Sequence, residues 1–325
     1  MTHRLARLLA AIGLSAITVL APSAAVAESF PSKPITIVVP FAAGSGTDQS
    51  ARLYAQELSE QLKVPVLVEN KGGASGFIAA QYVAKAAPDG YTVFLTTNTT
   101  QVANPHLFKR LPYDPITDFS PVTLLSTGQM VLLVRPDAPY QSLEDLLAAA
   151  RKAPGTLSFG SGSSSSQVAS ELLKQMTETD MLHVPYKSNP QAIVDVIGAQ
   201  IDFMFADAFT GLQQVRSGKL RALATSGSQR IAAAPEVPTV SEAGVPGYDM
   251  TYWLAVYLPA QTPTDIVQRM NTVFIQAAQA PGPKANTEKT SSQPVLSTPQ
   301  ELADFQVSES EKWRDVIQKA GILPQ

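Results

Sequence analysis

One unit recurs along this chain and restricts its fold more than any other feature. A short β-branched run is followed by a small polar loop, then by a segment with apolar residues at helical spacing. "ITIVV" (35–39) runs into "TDQSARLYAQELSEQL" (47–62). "VPVLVEN" (64–70) runs through "KGGASG" into "FIAAQYVAKA", and "YTVFLTT" (91–97) through "NTTQVANP" into a segment punctuated by proline. Runs that are apolar throughout suit strands covered on both faces. Their alternation with helices across short loops predicts parallel strands sandwiched between helices.

The chain changes character at Pro121. "PVTLLSTGQMVLLVRP" (121–136) reads as two consecutive extended runs joined by Ser-Thr-Gly, able to cross from one α/β unit to another. Strand and helix then alternate again. "SLEDLLAAARKAP" is a helix with Ser142 as N-cap and Glu144 and Asp145 in its first turn, where acidic groups suit the dipole. "GTLSFGS", "MLHVPYK", "IDFMFAD" and "RALATSG" read as strands, with helices in "SSSSQVASELLKQM" from about Gln167 and in "NPQAIVDVIGAQ". "TYWLAVYLPA" (251–260) gives a second crossing segment, followed by a helix from Pro263. Residues 281–293, "PGPKANTEKTSSQ", are poor in apolar residues and are expected to be exposed. The last helix starts at Thr298 with Glu301 as its capping-box partner. The organisation is two α/β units, one inserted in the other: residues 28–130 with 251–325, and residues 131–250.

Residues 1–27 read as a secretory leader: Arg4 and Arg7, an apolar stretch over 8–21, then Ala25-Val26-Ala27 before a start near Glu28. That stretch is short for a membrane span, and no later segment approaches the roughly 18 uninterrupted apolar residues a span requires. With 0 cysteines, disulfides, thiolate nucleophiles and cysteine metal sites are all absent. A chain of 325 residues that is 45% hydrophobic can bury a sizeable core without bridges. Its formal net charge of -3 supplies no basic footprint for nucleic acid.

Two loops are candidates for function. In "VVPFAAGSGTDQSARL" (38–53), Phe41, Ala42, Ala43, Gly44, Ser45, Gly46, Thr47 and Asp48 lead from a strand into a helix. The loop lacks the lysine of a Walker A motif and, with Gln49 where a third glycine belongs, it fails the dinucleotide fingerprint. A helix start still offers free N–H groups and partial positive charge, which suit a carboxylate as well as a phosphate. The competing reading is an ordinary tight turn capped by Thr47 or Asp48. In "SFGSGSSSSQ", Ser161, Gly162, Ser163, Ser164, Ser165 and Ser166 repeat the same grammar in the second unit, with a flexible Ser/Gly loop as the alternative. Thr97, Asn98 and Thr99 end a strand in the first unit as Asp207 ends one in the second. Asp207 either orients a ligand amine or hydroxyl, or caps the next helix. Lys187 either meets a ligand carboxylate or is a solvated surface charge.

Catalysis finds little support. No Gly-x-Ser-x-Gly elbow is present, and only His106 and His183 lie beyond the leader, His183 on an apolar strand where a structural role fits best. No metal-ligand spacing occurs. No metal and no cofactor are expected.

With these residues placed, the chain resembles the Bug family, the substrate-binding proteins of tripartite tricarboxylate transporters. The resemblance is carried by "VVPFAAGSGTD", "VENKGGASG", "AAPDGYT", "LPYDPITDFSPV", "HVPYK", "GKLRALA" and "PEVPTVSEAGVPGY" in this order, after the entry "FPSKPI". It implies a periplasmic type II binding protein: two doubly wound α/β lobes joined by crossing strands, closing as a monomer on a small organic carboxylate and delivering it to the transporter's membrane subunits. It also implies that the carboxylate is held by backbone and hydroxyl groups of the loops at Ala42 to Asp48 and Ser161 to Ser166. Departures from the family's usual pattern bear on the ligand. Ala43-Gly44 stands for two glycines, Gln167 for a histidine, Phe205-Ala206-Asp207 for Phe-Asp-Asn, and Ser188 for the glycine after "VPYK". The alternatives are a sensor input to a membrane histidine kinase and a secreted hydrolase. Aromatic acids, aliphatic dicarboxylates and amino acids all suit the loops as ligands.

Overall fold

The computed structural model describes residues 30–290 and 292–324. The leader expected over residues 1–27 lies outside them. The first part of the chain runs β1 (Ile35–Val39), α1 (Gly46–Leu62), β2 (Val66–Asn70), α2 (Phe77–Ala84), β3 (Thr92–Thr97), a π-helical turn at Thr99–Ala103 and α3 (Asn104–Leu107). A long strand, β4 (Phe119–Val134), leads to α4 (Leu143–Lys152), β5 (Ser158–Ser161), α5 (Ser164–Met176), β6 (Leu182–Pro185), α6 (Asn189–Ile197), β7 (Phe203–Asp207), α7 (Ala208–Arg216) and β8 (Arg221–Thr225). The chain returns through β9 (Thr251–Pro259) to α8 (Thr264–Ala278), α9 (Pro281–Thr290), β10 (Gln293–Pro294) and α10 (Pro299–Lys319).

The strand order is β2-β1-β3-β9-β4-β7-β5-β6, with β8 and β10 also paired to β4. β1, β2 and β3 are parallel, as are β5, β6 and β7, while β9 and β4 run against their neighbours. The expected parallel sheets are therefore mixed, because the two crossing strands enter them antiparallel. Two features differ from the sequence expectation here. Residues 121–136 do not break at Ser-Thr-Gly: β4 is one strand of 16 residues that changes partners midway. Phe119 to Gln129 pair with β9, whereas Met130 to Val134 lie between β7 and β8. Residues 281–293, expected to be exposed, form α9 over most of their length and bury Pro283.

Period-two alternation along β4 serves both faces of the sheet. Leu132 and Val134 join Phe94, Phe159, Phe203, Phe205 and Tyr257 in one core. Val131 and Leu133 pack with Met204, Ala206, Ile193 and Leu212 in another. Helical stripes cover these faces: α1 buries Ala51, Tyr54, Ala55, Leu58 and Leu62, spaced to fall on one side. The N-cap expected at Ser142 is present and is a full capping box closed by Asp145, as is the capping box expected at Thr298, closed by Glu301. No helix among the described residues is long and apolar enough to cross a membrane.

Candidate functional site

The first loop is built around its own N-cap. The cap is Ser45, two or three residues earlier than the sequence suggested, and its hydroxyl accepts the Asp48 N–H at 3.2 Å. Asp48 returns the favour by accepting the Gly44 N–H at 2.8 Å, while Gly44 supplies the left-handed backbone (φ 83°) that turns the chain. Asn70, at the end of β2, donates to both Asp48 Oδ1 and the Phe41 carbonyl at 3.0 Å, and Arg52 pairs with Asp48 at 2.9 Å. Burial works against the Asp48 charge, but the bonds from Arg52, Gly44 and Asn70 outweigh it and hold the carboxyl below its usual range. Asp48 therefore stiffens the loop from behind.

In the second half the serine run is fully engaged, which separates it from a flexible loop. Ser163 is the N-cap of α5, accepting the Ser166 N–H at 3.2 Å, so the helix begins three residues before Gln167. Ser164 Oγ donates to Asn104 at 2.9 Å, Ser165 Oγ accepts from Asn98 Nδ2 at 2.8 Å, and Ser166 Oγ donates to the Phe205 carbonyl. A side chain at Gly162 would collide with the backbone of Ser188 and Asn189, so only glycine lets the starts of α5 and α6 abut. Asn189 confirms the approach by accepting the Gly162 N–H at 3.1 Å. Ser161 Oγ lies 2.7 Å from His183 Nε2, and the His183 ring stacks on Phe159 at 5.0 Å. Burial, with a smaller effect of Lys174, pushes the imidazole pKa down. This is the structural role expected of His183, with Ser161 as its partner.

Both loops open onto one cavity of about 920 Å³, its mouth included. Phe41, Ser45, Gly46, Thr47 and Thr97 line it from the first half, and Gly162, Ser163, Ser165 and Asp207 from the second. Asp48, Asn98, Ser161, Ser164 and Ser166 stand behind the wall with the partners just described, and Ala42, Ala43 and Gly44 are likewise absent from the lining. Lys187 is exposed and does not reach the cavity.

Asp207 does both things the sequence left open. It is the N-cap of α7, its Oδ1 accepting from Thr210 N at 2.9 Å and Thr210 Oγ1 at 2.7 Å, and it also faces the cavity. Burial raises its pKa, against the hydrogen bonds of Thr210 and Asn189. A side chain on Gly46 would strike this carboxylate, so the start of α1 and Asp207 meet across the cleft.

The rest of the wall was not evident in the sequence. Ser50, Leu53 and Tyr54 continue the cavity face of α1, and spacing from Thr47 could have indicated them. Met130, Phe209, Tyr252 and Leu254 come from β4, α7 and β9, and Pro283, Asn286 and Thr287 from α9. Tyr252 fits because Gly128 leaves room for its ring. These residues give the cavity an apolar flank beside its hydroxyl-rich end. No group of three or more His, Asp or Glu side chains that could hold a metal occurs among the described residues.

Comparison with known proteins gives a consistent picture. The sequence profile of TctC, the tripartite tricarboxylate transporter family receptor, matches residues 50–322. The protein BugT of Bordetella pertussis is 33% identical over 321 residues, covering 97% of this chain and 98% of its own. Rpa4515 of R. palustris, solved with adipate, superposes with a TM-score of 0.88 at 32% identity, over 91% of this chain and 100% of that one. MatC from Rhodopseudomonas palustris, solved with bound malate, gives 0.84 at 31% identity, over 89% and 100%.

Proposed function

Because this chain belongs to the tripartite tricarboxylate transporter family of receptors, periplasmic binding proteins of the Bug type and not enzymes, we propose that it captures a small organic carboxylate by lobe closure. It then presents the closed form to the membrane subunits of such a transporter. In this reading residues 1–27 direct export to the periplasm and are removed. The lobes are residues 28–130 with 251–325, and residues 131–250.

The observation that carries the reading is the pair of helix starts, Ser45-Gly46-Thr47 and Ser163-Ser165, that line one cavity from opposite halves of the sheet. Their free N–H groups and hydroxyls provide neutral donors for a carboxylate. Adipate in Rpa4515 and malate in MatC are carboxylates held by relatives of the same fold. Each hydrogen bond to a charged group contributes about 1.5–3 kcal/mol, so a few of them with cleft burial reach micromolar affinity, about -8 kcal/mol.

Thermal-shift titration of the purified protein against monocarboxylates, dicarboxylates, aromatic acids and amino acids tests it. A dose-dependent rise in Tm with a carboxylate class is expected, since a ligand that binds only the folded state stabilises it. A protein stripped of co-purified ligand that responds to none of them would overturn the reading.

A further inference from the structure

The charges around the cavity are unevenly shared. Among the described residues that line it, none is Lys, Arg or His, and Asp207 alone carries a charge. Arg52, the cation adjoining the first loop, is committed to Asp48 and Asn70. A dicarboxylate bound here would bring two more negative charges beside Asp207 with no cation to meet any of them. Buried charges without a partner are costly, and the pairing of opposite charges is what offsets that cost.

The position of Asp207 limits the ligand further. Its carboxylate stands against Gly46, in the first turn of α1. The place that attracts an anion and the place that attracts a cation are therefore neighbours, as the two charges of an α-amino acid are, and not the two ends of a long cavity. Beyond them the wall is apolar, formed by Leu53, Tyr54, Met130, Phe209 and Leu254.

We propose that the ligand is an apolar α-amino acid whose carboxylate takes the neutral donors of the helix starts, whose ammonium pairs with Asp207, and whose side chain fills the flank. This rests on the carboxylate-receptor reading and narrows it to a zwitterion. Asp207 is then the residue that separates amino acids from plain acids. The rise of its pKa on burial accords with a carboxylate that lacks a cation until the ligand arrives.

The test is isothermal titration of the protein, refolded free of co-purified ligand, with three groups of probes. These are L-phenylalanine and L-leucine, their deaminated counterparts 3-phenylpropionate and 4-methylpentanoate, and the dicarboxylates adipate and malate. The amino acids should bind at least about tenfold more tightly than the deaminated acids, a difference of about 1.4 kcal/mol. Asp207→Asn, in which asparagine still caps α7, should erase that ratio while a melting curve verifies the fold. If deaminated acids or dicarboxylates bind as tightly as the amino acids, or Asp207→Asn leaves the ratio unchanged, the zwitterion proposal falls and the carboxylate receptor stands. If no probe of any group binds, both fall.

Discussion

Two polar side chains at strand ends, Asn98 in the first half and Asp207 in the second, differ in how burial and partners balance. Asn98 is fully buried, donating to Ser165 at 2.8 Å and accepting the Trp253 N–H at 3.3 Å. Asn98→Ala leaves both partners without their bond, and a loss of about 1–3 kcal/mol in unfolding free energy is expected, read by urea titration. Asp207 should behave in the opposite way. In the ligand-free protein its carboxylate is buried without a cation, so Asp207→Asn should raise stability by about 1 kcal/mol, visible as a higher Tm without ligand. A lower Tm would show that the α7 cap needs the charge. The sequence revealed Asp207 as a strand-end carboxylate and Asn98 as its counterpart in the first half. It did not reveal that Asp207 faces the cavity while capping α7, or that Asn98 is turned away from it, because what stands opposite each strand end, Gly46 for one and Ser165 for the other, comes from a segment far away in sequence.

At the scale of elements, the first loop and helix α1 act together. Asp48 is held below its usual range in the folded chain, so it stays ionised at pH values where the unfolded chain takes up a proton. Its stabilisation is complete above about pH 4, the ordinary carboxylate range, and is lost as pH falls through the lowered folded value. The Tm of wild type and of Asp48→Asn should accordingly draw together as pH falls below about 4. Gly46→Ala tests the cleft side of the same helix. Its methyl would meet the Asp207 carboxylate, so affinity for the bound acid should fall at least about tenfold with the chain still folded. Unchanged affinity would mean that Asp207 yields to it freely. The strand, loop and helix grammar of these elements was legible because local spacing encodes it. The continuity of β4 and the helix α9 were not: Ser-Thr-Gly reads locally as a break, and "PGPKANTEKT" has no apolar stripe of its own. α9 is held instead by packing against α1, α7 and α8.

For the molecule as a whole, the two halves are joined at their centre and not by a flexible tether. β4 pairs with β9 as far as Gln129 and with β7 and β8 from Met130, with no loop between. Asn98–Ser165 and Asn104–Ser164 bonds connect the halves again beside the cavity. The two indoles, Trp253 and Trp313, both donate to one oxygen of Glu309, at 3.2 and 3.3 Å. Trp253 is also the residue whose N–H meets Asn98. An opening of the cleft that broke the Asn98–Ser165 bond would thus be felt one residue from a shared carboxylate, and tryptophan emission should shift on ligand addition without any label. A constant spectrum under saturating ligand would show that β9 stays still. The unbroken strand has a mechanical consequence as well. At Gln129–Met130 the halves share a hydrogen-bonded ribbon, which would flex as a leaf spring does and gives a protease no slack connector at that point.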